Sequence, residues 1–129
     1  MRRNWNYDPG ARRFKHKWGR PEAGFDESSG VPVGKCPGSL SVEQAQQLLN
    51  SGIAWPEDWE ESAEYPSRIY NVHQGVVYEA RPTMQGFTYH GFPARGRLPR
   101  RLTRVLEQRA AAEGCEREYR QWLKTHCQG

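Results

Sequence analysis

The β-branched and aromatic residues that can build a sheet are concentrated in residues 68–93, RIYNVHQGVVYEARPTMQGFTYHGFP. Residues 68–73 and 76–81 are rich in Ile, Val and Tyr and are separated only by Gln74-Gly75. A two-residue connection ending in glycine suits a type I′ turn, whose central residues need positive φ, so the pattern predicts a tight hairpin. The turn fixes the register: His73 faces Val76, Asn71 faces Tyr78 and Ile69 faces Ala80, while Val72 faces Val77, Tyr70 faces Glu79 and Arg68 faces Arg81. One face, with Ile69, Ala80, Tyr78 and Val76, is apolar enough to pack on helices. The other carries Tyr70, Glu79, Arg68 and Arg81 behind a Val72–Val77 pair, and it is the candidate site. A third strand, residues 87–92, follows the loop around Pro82-Thr83-Met84-Gln85-Gly86. Two registers are open. If Arg81 pairs with Gly86, His90 lands on the Glu79 face; if it pairs with Phe87, Tyr89 lands there.

Outside this region the period changes to that of helices. Ser41 and Gln44 form an S-x-x-Q capping box, Leu40 and Ala45 make a staple across it, and Gly52 is placed to end the helix in left-handed geometry. Val42, Ala45, Leu48 and Leu49 give this helix one apolar face. Towards the C-terminus, Pro99 suits the first turn of a helix whose buried face is Leu98, Leu102, Val105 and Leu106 and which Gly114 ends. A second helix buries Tyr119, Trp122 and Leu123, and the short joint makes the two neighbours. The predicted fold is α+β: a three-stranded antiparallel meander (about 68–93), one preceding helix (about 41–51) and two C-terminal helices (about 98–113 and 116–126). A chain of 129 residues suits one domain, 1–129. Glycines and prolines make 1–38 a loop-rich arm, and residues 25–38 in particular read as loop.

A mean hydropathy of −0.97 implies a lean core, weighted towards aromatics by five Trp, six Tyr and four Phe. No stretch approaches the roughly 18–20 apolar residues that span a bilayer, and the Arg-rich start lacks a signal peptide's hydrophobic segment, so a cytoplasmic protein with no membrane partner is expected. Cys36, Cys115 and Cys127 are an odd number without CxxC spacing and read as reduced thiols. With His126 they lack zinc-ligand spacing, so neither metal nor other cofactor is expected. GVPVGKCPGS misses the phosphate-loop spacing GxxxxGK[ST].

Charge changes the picture. Residues 1–20 carry seven Lys/Arg and one Asp, residues 22–66 carry nine Asp/Glu and only Lys35, and residues 67–129 carry eleven Arg/Lys against five Glu. In the arm, Arg12, Arg13, Lys15 and Lys17 alternate with Trp5, Tyr7, Phe14 and Trp18. Cations neutralise phosphates and aromatics stack on unpaired bases, although the same aromatics could dock on the sheet. Arg97, Arg100, Arg101 and Arg104 crowd the N-terminal half of the first C-terminal helix, where the dipole is already positive, which favours an anion-binding role. The acidic, aromatic residues 55–65 could be a solvated connection or could cover a basic surface.

Nucleophile elbow, dinucleotide and deaminase motifs are missing. What remains is Glu79, Arg81, Tyr70 and either His73 or His90 on a short sheet beside an arginine-rich helix. Metal-free RNA cleavage needs a base, an acid and a cation for the phosphorane, and Glu79, a histidine and Arg81 are the residue types for it. A compact basic α+β domain without a metal motif broadly resembles the small RNase domains of bacterial toxin systems, a likeness of fold class with no shared motif. The expected function is binding of nucleic acid, RNA or a single strand, through basic and aromatic surfaces. Two alternatives are a protein-interaction module, such as an inhibitor, adaptor or phage-type regulator, and a metal-independent endoribonuclease of toxin type. The oligomeric state is not legible.

Overall fold

A computed structural model of the protein describes residues 5–7, 24–26, 33–35, 40–62, 65–84 and 88–127. In chain order these form β1 (Asn6–Tyr7), β2 (Gly24–Asp26), β3 (Val33–Lys35), α1 (Val42–Asn50), β4 (Ile53–Trp55), α2 (Trp59–Ser62), β5 (Arg68–His73), β6 (Val76–Met84), β7 (Thr88–Pro93), α3 (Arg100–Glu113) and α4 (Glu116–His126). The class is α+β, with a five-stranded sheet in the order β1-β7-β6-β5-β4 in place of the expected three. The meander β5-β6-β7 is its centre. β4 joins one edge antiparallel, and β1 joins the other parallel to β7, so the sheet is mixed. Residues 25–38, expected to be loop, contain strand β3 and most of β2, which pair antiparallel. Three-residue strands leave no alternation to read, and in sequence Gly30 and Pro32 lie between the strands without interrupting either.

The hairpin forms as the two-residue turn dictates. Gln74 and Gly75 both have positive φ, 51° and 82°, and the register runs from His73↔Val76 to Ile69↔Ala80 as expected. The third strand settles the open register. Arg81 pairs with His90, so His90 has the parity of Glu79, but the pairing lies further along β7 than either alternative. The reason is that β6 does not stop at Arg81. It continues to Met84 through a register shift between Pro82 and Met84, a position where the missing proline N–H is tolerated.

Both sheet faces are covered. On the Ile69 face lies α1, whose capping box is complete: Gln44 N donates to Ser41 Oγ at 3.1 Å and Ser41 N donates to Gln44 Oε1 at 2.9 Å. Leu49 packs with Ile69, Ala80 and Tyr89, and Trp5 and Tyr7 pack against that cluster. Val42, expected on the buried face, is 47 % exposed because it sits at the outset of the first turn, ahead of the residues that meet the sheet. Ser51 caps α1 at φ −96°, so Gly52 does not terminate it in left-handed geometry. Gly52 is instead a point of close approach, since an added Cβ would lie 2.3 Å from Ile69 Cγ2.

Across the sheet, α3 and α4 cover Tyr70, Val72, Val77 and Ala94 with Leu102, Leu106, Ala110, Tyr119 and Trp122. Gly114 ends α3 at φ 76°, as expected, whereas Pro99 is its N-cap and Val105 is 38 % exposed. Val105 lies three residues past Leu102, which rotates it off the stripe that Leu102 and Leu106 define. Asn71, buried, ties the layers together. Its Nδ2 donates to Leu48 O at 2.9 Å and Ser51 Oγ at 3.0 Å, and its Oδ1 accepts from Val72 N at 2.8 Å and Arg109 Nη1 at 3.3 Å. No helix among the described residues is long and apolar enough to cross a membrane.

Candidate functional site

The face opposite α1 is divided along the strands. At the turn end, Val72 and Val77 are buried under α3 and α4. At the other end, β-alternation brings two rows to the same face: Tyr70, Glu79 and Phe92, and then the polar Arg68, Arg81 and His90. The apolar half of the candidate face is therefore covered, because two valines facing one another demand it. Glu79 itself is buried. Its side chain is 5 % exposed and accepts a hydrogen bond from Arg81 Nε at 2.5 Å, while the Arg81 side chain is 49 % exposed.

Tyr70 and Arg68 extend this chain of contacts. Arg68 Nη1 donates a long 3.5 Å hydrogen bond to the Tyr70 hydroxyl, a contact that raises the guanidinium's affinity for its proton. Burial holds the Tyr70 phenol above its ordinary range, and the Glu79 charge pushes the same way, so Tyr70 stays neutral between the carboxylate and Arg68. His90 Nδ1 lies 2.9 Å from Thr83 Oγ1, and its ring lies 5.7 Å from that of Phe92 at 33°. The Arg81 guanidinium carbon stands 5.9 Å from the Phe92 centroid, within cation–π range.

Beside these rows, where α3 begins, is an open cleft of about 820 Å³. Arg68, Arg97 and Arg100 line it together with Leu98, Pro99, Thr103 and Cys127. No side chain caps α3 at Pro99, and its first turn is basic without an acidic residue, so the positive end of the helix and the guanidinium groups add. Arg104 is exposed one turn further along α3. Arg101 is exposed and forms an ion pair with Glu57 at 3.6 Å, so the acidic segment touches the basic helix at one point.

The site residues expected from sequence therefore separate. Glu79, Arg81, Tyr70 and His90 share one face, and Arg97 and Arg100 share one cleft. His73 does not belong with them: at the hairpin end it opposes Val76 and has the parity of Ile69, which places it on the other face. Arg12, Arg13, Lys15, Lys17 and Trp18 lie outside the described residues. Phe92 is an addition, legible by parity with Glu79 only once the register of β7 was known; Arg68, expected on the Glu79 face from the hairpin register, also lines the cleft. Trp5 and Tyr7 are docked, with Trp5 edge-on to Trp59 and Tyr89 at 5.9 and 5.4 Å. The acidic segment likewise turns aromatic side chains inward: Trp59 is buried, and Trp55 packs against the α3–α4 core.

The described thiols, Cys115 and Cys127, are not poised for chemistry. Burial raises the Cys115 thiol and lifts that of Cys127 to about 11, although a hydrogen bond with Trp122 pulls the latter down. Among the described residues, no three His, Cys, Asp or Glu side chains gather where a metal ion could be held. Comparison of the chain with protein-family models, curated proteins and solved structures gives no match.

Proposed function

We propose that the protein binds nucleic acid, RNA or a single strand, by placing backbone phosphates in the cleft at the start of α3. One observation carries this reading: Arg68, from β5, and Arg97 and Arg100, from the start of α3, line the same cleft. Three guanidinium groups around an uncapped helix start are chemically matched to phosphate oxygens, which accept bidentate hydrogen bonds and are attracted by the positive end of the helix dipole. Arg104 extends the charge along α3. The test is fluorescence anisotropy of a labelled single-stranded oligonucleotide over increasing salt. Three phosphates neutralised on a single strand give a log–log slope of about −2. No binding at low salt overturns the proposal.

A second reading, a metal-independent endoribonuclease, draws support from the register that sets His90 opposite Arg81 on the Glu79 face. Glu79 would be the base, His90 the acid and Arg81 the phosphate-charge stabiliser, with Tyr70 holding Glu79. Burial of Glu79 and its pairing with Arg81 favour binding over catalysis. Incubation with total RNA in EDTA decides between them: cleavage that disappears in Glu79→Gln selects the enzyme, and intact RNA selects the binder. A protein-partner role has less support, since Trp55 and Trp59 of the acidic segment face inward.

A further inference from the structure

We infer that the ligand carries unpaired bases and that one base stacks on a platform formed by Phe92, His90 and Arg81, next to the phosphate cleft. This rests on the phosphate reading of that cleft and specifies which nucleic acid it takes. β-alternation alone puts the three side chains on one face: Arg81 opposes His90, and Phe92 follows His90 by two residues. The two rings are half-buried and 5.7 Å apart, and the Arg81 guanidinium lies 5.9 Å from the Phe92 centroid. Aromatic rings and arginine planes are the surfaces on which unpaired bases stack.

The charge arrangement separates the two parts of the site. Arg81 is already neutralised by Glu79, whose buried carboxylate fixes the guanidinium over Phe92, so Arg81 serves as a plane more than as a phosphate ligand. Arg68, Arg97 and Arg100 line the cleft and supply the net charge there. The register joins them. Arg68 and Arg81 are the residues next to the Ile69↔Ala80 pair on adjacent strands and share one face, so a cleft residue and a platform residue belong to neighbouring strands. A strand whose phosphates occupy the cleft therefore presents its adjoining base to Phe92 and His90. A duplex keeps its bases stacked inside and has no ring face to offer.

The test uses three probes of equal length: a single-stranded oligonucleotide, its duplex and an abasic strand. Wild-type protein should bind the single strand about tenfold more tightly than the abasic strand, the effect of one stacked base. Phe92→Leu should reduce single-strand affinity to the abasic level without changing the salt slope, and Phe92→Trp should retain it. Thermal melting of both variants separates stacking from misfolding, and the Trp variant reads the platform even if the Leu variant is unstable. The platform is overturned if the duplex binds best, if Phe92→Leu binds like wild type, or if it weakens abasic and normal strands equally. If none of the probes binds wild-type protein at low salt, the cleft reading itself falls, an outcome distinct from the other three.

Discussion

His126, near the end of α4, shows what one side chain contributes to pH response. Its ring sits 4.1 Å from that of Trp122, and burial, with Arg95 acting in the same direction, holds the imidazole below its ordinary 6.5. A depressed histidine means that the unfolded chain takes up the proton first. The residue leaves stability unchanged well above pH 6.5 and lowers it as the pH falls through 6.5 towards the folded-state value. Urea melts at pH 7.0 and 5.5 should show the midpoint falling in wild type and falling less in His126→Phe; equal falls would remove His126 as the cause. Glycines show how much of this scale is legible in sequence. Gly75 announces the turn, yet the sequence does not show that an added Cβ would also meet Glu118 Cβ at 2.3 Å. Gly52 is legible as a special position but for the wrong reason, because its neighbour Ile69 comes from a different element.

Among the elements, α1 and α3 begin in opposite ways. Ser41 and Gln44 close a reciprocal cap on α1, whereas α3 starts at Pro99 with no side-chain cap and with Arg100 and Arg101 in its first turn. Cations at the positive end of a helix destabilise it, and reversing one sign should restore roughly 0.5–1 kcal/mol. Arg100→Asp should therefore raise the urea midpoint slightly while weakening oligonucleotide binding at least tenfold. A variant that is both more stable and equally tight would show that α3 is basic for some other reason. Elements fixed locally were the legible ones: the capping box, the hairpin register set by Gln74-Gly75, and Gly114 at the end of α3. Those fixed from a distance were not. β1 is two residues long and is held by Gln46, which accepts from Tyr7 N at 2.7 Å and donates to Trp5 O at 2.5 Å. The bulge after Pro82 moved the register of β7, and with it the identity of the residues beside Glu79.

At the scale of the whole molecule, a formal charge of +4 says little about where an anion would sit, because several cations already have structural partners. Arg109 joins α3 to the end of α1 through Ser51 O and to β5 through Asn71 Oδ1. Arg120 lies between Glu107 and Glu116, and Arg81 is paired with Glu79. Part of this is hidden in sequence, since Ser51 and Asn71 reach Arg109 from far along the chain and Glu107 reaches Arg120 from another helix, whereas Glu79 and Glu116 lie two and four residues before the arginines they pair with. The difference from Arg97 and Arg100 has a measurable consequence. A phosphate-contacting arginine contributes to counterion release, so its removal lowers the magnitude of the log–log salt slope by about 0.7 on a single strand. Arg97→Ala should therefore weaken binding of all sequences alike and reduce the slope by about that amount. Arg120→Ala should leave both unchanged, since its charge is offset by two carboxylates. Arg109→Ala should lower stability by about 1 kcal/mol through loss of the hydrogen bonds to Ser51 O and Asn71 Oδ1, and leave the slope unchanged. Equal slope changes for all three would mean that binding follows net charge alone and that the cleft at the start of α3 holds no phosphate.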